Sequence, residues 1–326
     1  MDTIKGRLFQ LDEMEFLNSF VEITPDKNLI NVRGQALTPL LTPLKPIRDG
    51  TPITGIDVSS IKIGATEVGA VYAVRGAVVL NVNGKYRYLR FGPFPFHLTR
   101  ENMPGIFNEM SKELAFSSSF LSQIEPQRHL CNLLERWLQE YISHLAEGNI
   151  ILWDGSLTSG IPGSPVAELS RILKAARENS NVVMALSKET TLRFLEWRIT
   201  NLIAKHDPPC LFEIDSLPLS TPNYTRFLGR IYVAKLARGG CSFRLDVDKA
   251  ISREDTIIAV EKLLGNELVY QGYPETLRLA HIYSTFTASD VIGIQRFLVK
   301  EYGLRLVARS NMHRTLFGPY GVRLGD

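Results

Sequence analysis

Cysteine is scarce in this chain. Cys131, Cys210 and Cys241 are odd in number, far apart, and form no CxxC pair. That pattern argues against a disulfide framework or a thiolate zinc site and leaves inert thiols. Long apolar runs are missing too. No stretch reaches the ~18 residues that span a bilayer. The opening MDTIKGRLFQLDEMEF is charged throughout, unlike a signal peptide. The expectation is a cytoplasmic protein with no membrane association. Neither sign of charge dominates: 37 Lys and Arg stand against 34 Asp and Glu, a net charge of +3. This balance permits a nucleic-acid partner without demanding one. The absence of GxxxxGK[ST] excludes a P-loop motor at motif level. The absence of internal repeats excludes a solenoid.

What is present is 326 residues of 44% hydrophobic composition, enough for one large domain or two ordinary ones. Residues 1–50 read as an N-terminal arm whose ALTPLLTPLKPIRDGTP stretch is a proline-rich, extended connector. The main folded domain is expected over 51–326. ITGIDVSS reads as its first strand. EVGAVYAVRGAVVLNVNGKYRYLRFG reads as strands broken at Arg75-Gly76 and at Asn83-Gly84, the latter a strong hairpin signal. A helical insert is expected at about 100–125. EPQRHLCNLLERWLQEYISHLAEG carries an apolar face at helical spacing, and Gly148 ends it. NIILWDGS is then a short buried strand ending on Asp154. A helix (SPVAELSRILKAARENS), a strand (NVVMALS), a helix (ETTLRFLEWRITNLIAKHD), a hairpin (GRIYVAKLARGGCSFRLDV) and C-terminal helices follow. Three strands, helix, strand, helix, strand is the order of an α/β, ribonuclease-H-like mixed sheet flanked by helices.

In such a core the first strand and the strand after the first helix lie side by side and parallel. Asp57 and Asp154 would then face each other. Two neighbouring carboxylates repel unless a divalent cation sits between them, and oxygen ligands suit Mg²⁺ or Mn²⁺. The intervening helix should supply a third ligand. From Ala146 back to Glu135 is roughly 16 Å of helix at ~1.5 Å per residue. From Asn149 to Asp154 is about 17 Å of strand at ~3.3 Å per step. Glu135 is therefore level with Asp154. Glu113, ahead of Pro126, is the alternative. Each residue also has a plainer reading: a helix glutamate is usually a solvated one, and DGS is a common turn.

As a set, ITGIDVSS, NIILWDGSLTSG, CSFRLDV and YQGYPETLRLAH resemble the NurA nuclease family of archaea and bacteria, over residues 53 to 286. The resemblance implies a ribonuclease-H-like fold and Mn²⁺-dependent cleavage of DNA, with Mg²⁺ as the alternative ion. It implies 5′–3′ exonuclease and single-strand endonuclease activity in DNA-end resection and repair. It further implies a homodimer that works with a HerA-type hexameric ATPase. By motif, Asp57 corresponds to the first-strand aspartate, Glu135 to the helix glutamate and Asp154 to the acid of DGS. His281 follows GYP, where the family places a C-terminal active-site residue. Many relatives read DGS at the first strand, where this chain reads IDVSS; the acid is kept.

Other candidates have paired readings. His281 is either a packed helix histidine or a residue that ligates metal or orients water or phosphate. Tyr273 either packs at a helix start or touches substrate. Arg244 either meets a phosphate or pairs with Asp246. KYRYLRFGPFPFH, with Lys85, Arg87 and Arg90, mixes basic and aromatic residues and reads either as a DNA-binding surface or as a solvated hairpin with aromatic core contacts. The competing classes are an actin- or sugar-kinase-like ATP-binding protein and a non-catalytic scaffold for DNA or a partner. GIDVSSIKIGATEVG imitates the first phosphate loop of the former, but DGSLTSGIPG lacks the second.

Overall fold

The computed structural model describes residues 41–113, 125–160, 165–188, 206–214 and 225–307, together with residues 190, 192–194, 197–201 and 203. The expected N-terminal arm lies outside the described residues up to position 40. In chain order the larger elements are β1 (Leu41–Pro43), β2 (Ile53–Ala65), β3 (Gly69–Val82), β4 (Lys85–Thr99), α1 (Met103–Glu113), α2 (Pro126–Leu145), β5 (Ile150–Asp154), α3 (Val166–Glu178), β6 (Val182–Ser187), β7 (Cys210–Glu213), β8 (Gly229–Lys235), β9 (Ser242–Asp248), α4 (Arg253–Asn266), α5 (Glu275–Ser284) and α6 (Ala288–Tyr302).

Nine strands form one sheet in the order β1-β7-β8-β9-β6-β5-β2-β3-β4. β2, β3 and β4 follow one another as a meander. Its second turn is Asn83-Gly84, with φ of 53° and 77°, and the Asn81 side chain accepts the Gly84 N–H. These positive φ values are what an Asn-Gly hairpin turn supplies at low cost. β5 then pairs parallel to β2, and β6 parallel to β5. β9, β8, β7 and β1 extend the sheet antiparallel. The architecture is the expected ribonuclease-H-like mixed sheet. The run Ile150 to Trp153 is buried throughout, as a central parallel strand covered on both faces requires. No helix among the described residues is long and apolar enough to cross a membrane.

The chain divides into two compact units, one of residues 1–57, 78–89 and 138–282, the other of residues 58–77, 90–137 and 283–326. The first is centred on Leu152, Leu186, Leu245, Val260 and Leu277, all fully buried, with a second cluster around Phe212, Ile231 and Val233. The second packs Ile63, Val71, Ala73 and Leu298 together. α6 in this unit opens with a capping box between Thr287 and Asp290 and closes on Gly303 at φ 61°.

Two expectations are corrected. β3 does not break at Arg75-Gly76 but runs straight through. The charge that suggested a break is satisfied: buried Arg75 pairs with Asp290 at 2.9 Å, donates to the Thr285 carbonyl and lies over the Phe286 ring. In the segment expected as a helix near 189–207, the described residues instead pair Arg193–Phe194 antiparallel with Trp197–Arg198, followed by a 3₁₀ turn. Its aromatic and β-branched residues suit strands better than their apolar spacing suggested. The proline-rich connector also does more than connect. Leu41, Thr42 and Pro43 form an edge strand opposite Phe212, Leu211 and Cys210, a place where proline is tolerated.

Candidate active site

The site grows from the parallel pairing of β2 with β5. Ile56 stands opposite Trp153, so the next residue on each strand is an aspartate. Asp57 is 8% exposed and Asp154 is half-buried at the end of β5. The chain leaves Asp154 through Gly155 at φ 127°, a conformation that side chains other than glycine's rarely permit. The Gly155 N–H donates to the Leu186 carbonyl, and Ser187 Oγ donates to the Gly155 carbonyl at 2.6 Å. This short turn leaves the Asp154 side chain at the carboxyl end of the strand, where open α/β sheets place their sites.

His281, one turn from the end of α5, has Nδ1 3.3 Å from Asp57 Oδ2. One ligand atom from each of Asp57, Asp154 and His281 lies within 4.8 Å of the other two. Two carboxylates and an imidazole at that separation fit a divalent cation of the Mg²⁺ or Mn²⁺ kind. Without a cation the two acids repel.

Lys188 joins this group. It follows β6, whose Leu186 stands opposite Asp154. Its Nζ lies 2.6 Å from Asp154 Oδ2 and 5.4 Å from the centre of the Tyr273 ring. Sequence reasoning passed over it. The signal was its position just beyond a buried strand adjacent to β5. Tyr273 is buried against Phe243, and its hydroxyl has no hydrogen-bond partner among the described residues. Burial, and then the charges of Asp154 and Asp57, push its phenol far above the ordinary range. It is therefore a neutral hydroxyl donor beside two acids.

Arg244 has its guanidinium on Asp246: Nε and Nη2 each donate to a carboxylate oxygen at 2.6 Å, and Nη2 also reaches Thr158 Oγ1. Asp246 is fully buried and accepts the Leu157 N–H. The pair braces the loop that leaves Asp154. Glu135 is half-buried on α2 and is not one of the three clustered residues. The Glu113 side chain lies outside the described residues.

A family model described as the NurA domain matches residues 51–284. No match was found among curated proteins. Among solved structures, the NurA nuclease from Sulfolobus solfataricus is 16% identical, with 92% of this chain and 95% of that one covered and a TM-score of 0.58. Another NurA structure is 12% identical, with 80% and 91% covered and a TM-score of 0.48. Endonuclease V from Ciona intestinalis, in complex with an inosine-containing DNA, is 13% identical, with 76% and 92% covered and a TM-score of 0.39.

Proposed function

The chain belongs to the NurA family, and from that premise we propose that it is a divalent-metal-dependent deoxyribonuclease. The family and the fold support a nuclease. The observation that carries the finer reading is the cluster of Asp57, Asp154 and His281, with ligand atoms within 4.8 Å of one another.

In this reading Asp57 and Asp154 hold the cation, Mn²⁺ or Mg²⁺, and its charge removes their mutual repulsion. When bound, the cation supplies Lewis acidity at the scissile phosphate and a route to hydroxide at neutral pH. His281 ligates beside Asp57 or holds the attacking water or the phosphate. Lys188 is 41% exposed on its side chain and so can turn from Asp154 to a phosphate oxygen. Tyr273 is the second proposed substrate contact, its buried neutral hydroxyl donating to that oxygen once DNA binding uncovers it. Arg244, tied to Asp246, is the other proposed phosphate contact and also fixes the loop after Asp154 from behind. Glu135 stands as the proposed helix carboxylate on the rise-per-residue argument, with Glu113 as its rival. β4 offers Lys85, Arg87 and Arg90 with exposed Tyr88 and Phe94, a composition suited to DNA phosphates and unpaired bases. Family resemblance extends the proposal to 5′–3′ exonuclease and single-strand endonuclease action in end resection, by a homodimer that partners a HerA-type hexameric ATPase.

The test is direct. The purified chain is expected to degrade linear DNA with Mn²⁺ and to stop on chelation. Asp57→Ala and Asp154→Ala should stay folded and lose activity, and Glu135→Gln compared with Glu113→Gln identifies the helix ligand. Robust ATP hydrolysis without DNA cleavage would overturn the proposal in favour of the kinase-like reading. Against that rival, Gly239-Gly240 sits in the turn between β8 and β9, not between a strand and a helix.

A further inference from the structure

Glu267 is a buried acid. It caps the C-terminus of α4 and is only 8% exposed. Its two oxygens accept four hydrogen bonds. Oε1 takes the Tyr86 hydroxyl at 3.0 Å and the Thr276 N–H at 2.9 Å. Oε2 takes the Asn81 Nδ2 at 2.8 Å and the Thr276 hydroxyl at 2.5 Å. No Lys, Arg or His forms an ion pair with it among the described residues. Burying a carboxylate is costly unless its lone pairs are satisfied. Here four donors and the positive end of α5 offset that cost.

The placement of those donors is the informative part. Glu267 and Thr276 bracket a two-stranded hairpin, Val269–Tyr270 against Tyr273–Pro274, turned by Gln271 and Gly272 at positive φ. The carboxylate thus closes the base of the hairpin that delivers Tyr273. It also pins the first turn of α5, the helix that delivers His281. That turn rests on β2. A Cβ built on Gly55 would lie 2.9 Å from the Thr276 carbonyl oxygen and 3.1 Å from Leu277 Cα. From Leu277 to His281 the helix rises about 6 Å, and from Gly55 to Asp57 the strand advances about 6.6 Å. Helix and strand run in step, so where α5 starts decides where His281 meets Asp57.

We propose that Glu267 is a positioning residue: through Thr276 it sets the placement of Tyr273 and His281 over Asp57 and Asp154. This rests on reading that cluster as the nuclease centre. The test compares full-length wild type with Glu267→Gln and Thr276→Val. The first removes the charge and half the acceptor capacity. The second keeps the shape and loses one hydrogen bond, and it serves if the first fails to fold. Circular dichroism melting reports folding, calorimetric titration with MnCl₂ reports ion binding, and cleavage of linear DNA gives kcat and KM. Folded variants are expected to lose about 10- to 100-fold in kcat, the scale of sub-ångström misplacement. KM for DNA should stay within about twofold of wild type, and Mn²⁺ affinity should fall. A folded variant with wild-type kcat and Mn²⁺ affinity overturns the positioning role, as does a loss confined to KM or to the melting temperature. Failure of both variants to fold overturns it as well, making the carboxylate a folding determinant. A wild-type chain that neither binds Mn²⁺ nor cuts DNA overturns instead the reading of the site.

Discussion

Substituting Gly55 by alanine probes the contact between α5 and β2 with one added carbon. The new Cβ would sit 2.9 Å from the Thr276 carbonyl oxygen, 3.0 Å from its carbon and 3.1 Å from Leu277 Cα. All three are backbone atoms, so no side chain can swing aside. Ordinary contact begins near 3.4 Å, so α5 must withdraw by the difference between 3.4 and 2.9, about 0.5 Å. The His281 Nδ1 to Asp57 Oδ2 distance is 3.3 Å. Adding the same withdrawal gives about 3.8 Å, beyond hydrogen-bond range. Two stability effects oppose each other. Glycine in a strand is weaker than alanine by about 0.5–1 kcal/mol. Overpacking costs about 1–3 kcal/mol. Overpacking wins, leaving a net loss of about 1 kcal/mol, or roughly 2–4 °C in melting temperature for a body of this size. Catalysis should suffer more, about tenfold in kcat, because it depends steeply on geometry. Thermal melts and single-turnover cleavage of linear DNA measure both. A Gly55→Ala chain with unchanged melting temperature and unchanged cleavage rate would refute the claim that α5 is seated on β2 at this point.

Two further outcomes are expected. Lys188→Met should leave the melting temperature unchanged, because the lysine is part-exposed and its ion pair is solvent-screened. It should slow cleavage by about 10²-fold, as loss of one charged donor does, and an unaltered single-turnover rate would remove Lys188 from the mechanism. His129→Leu concerns acid stability. His129 is buried on α2 against Phe107, neither ring nitrogen has a partner among the described residues, and burial holds its pKa below the ordinary 6.5. The unfolded chain therefore takes up a proton that the folded chain refuses. Stability from this residue is complete above about pH 6.5 and is lost as pH falls below it. The leucine variant should show a smaller drop in urea midpoint between pH 7.5 and pH 5 than wild type, and equal drops would contradict the assignment.

Much of the acid pair was legible in the sequence because it depends on strand order alone. ITGIDVSS and NIILWDGS each drive an aspartate to the end of an apolar run, and the helix between them forces a parallel return. That argument needs no side-chain detail. Arg75 was misread because a charge in an apolar run looks like a break until its partner is known. Asp290 lies 215 positions away, and no local pattern announces such a pairing. The hairpin at Arg193–Arg198 was misread because apolar residues three and four apart can occur by chance in a short aromatic segment. Lys188 and Glu267 were passed over for one reason. Each matters through a neighbour supplied by a different element, and a single sequence shows only the neighbours along its own chain. Arg244 and Asp246 show the opposite case. Their spacing of two put both on one strand face, and the ion pair is there.

The open border of the sheet has a consequence for life in a crowded solution. Among the described residues β4 is its last strand, fifteen residues long, with most side chains exposed. An edge strand of that length is a template for mispairing with another copy. β4 carries Lys85, Arg87 and Arg90 but no acid, and Pro93 and Pro95 lack the N–H that a pairing ladder needs. A second copy approaching along this border meets like charge and an interrupted row of donors. The residues proposed to meet DNA on β4 are thus of the kind that disfavours edge-to-edge pairing.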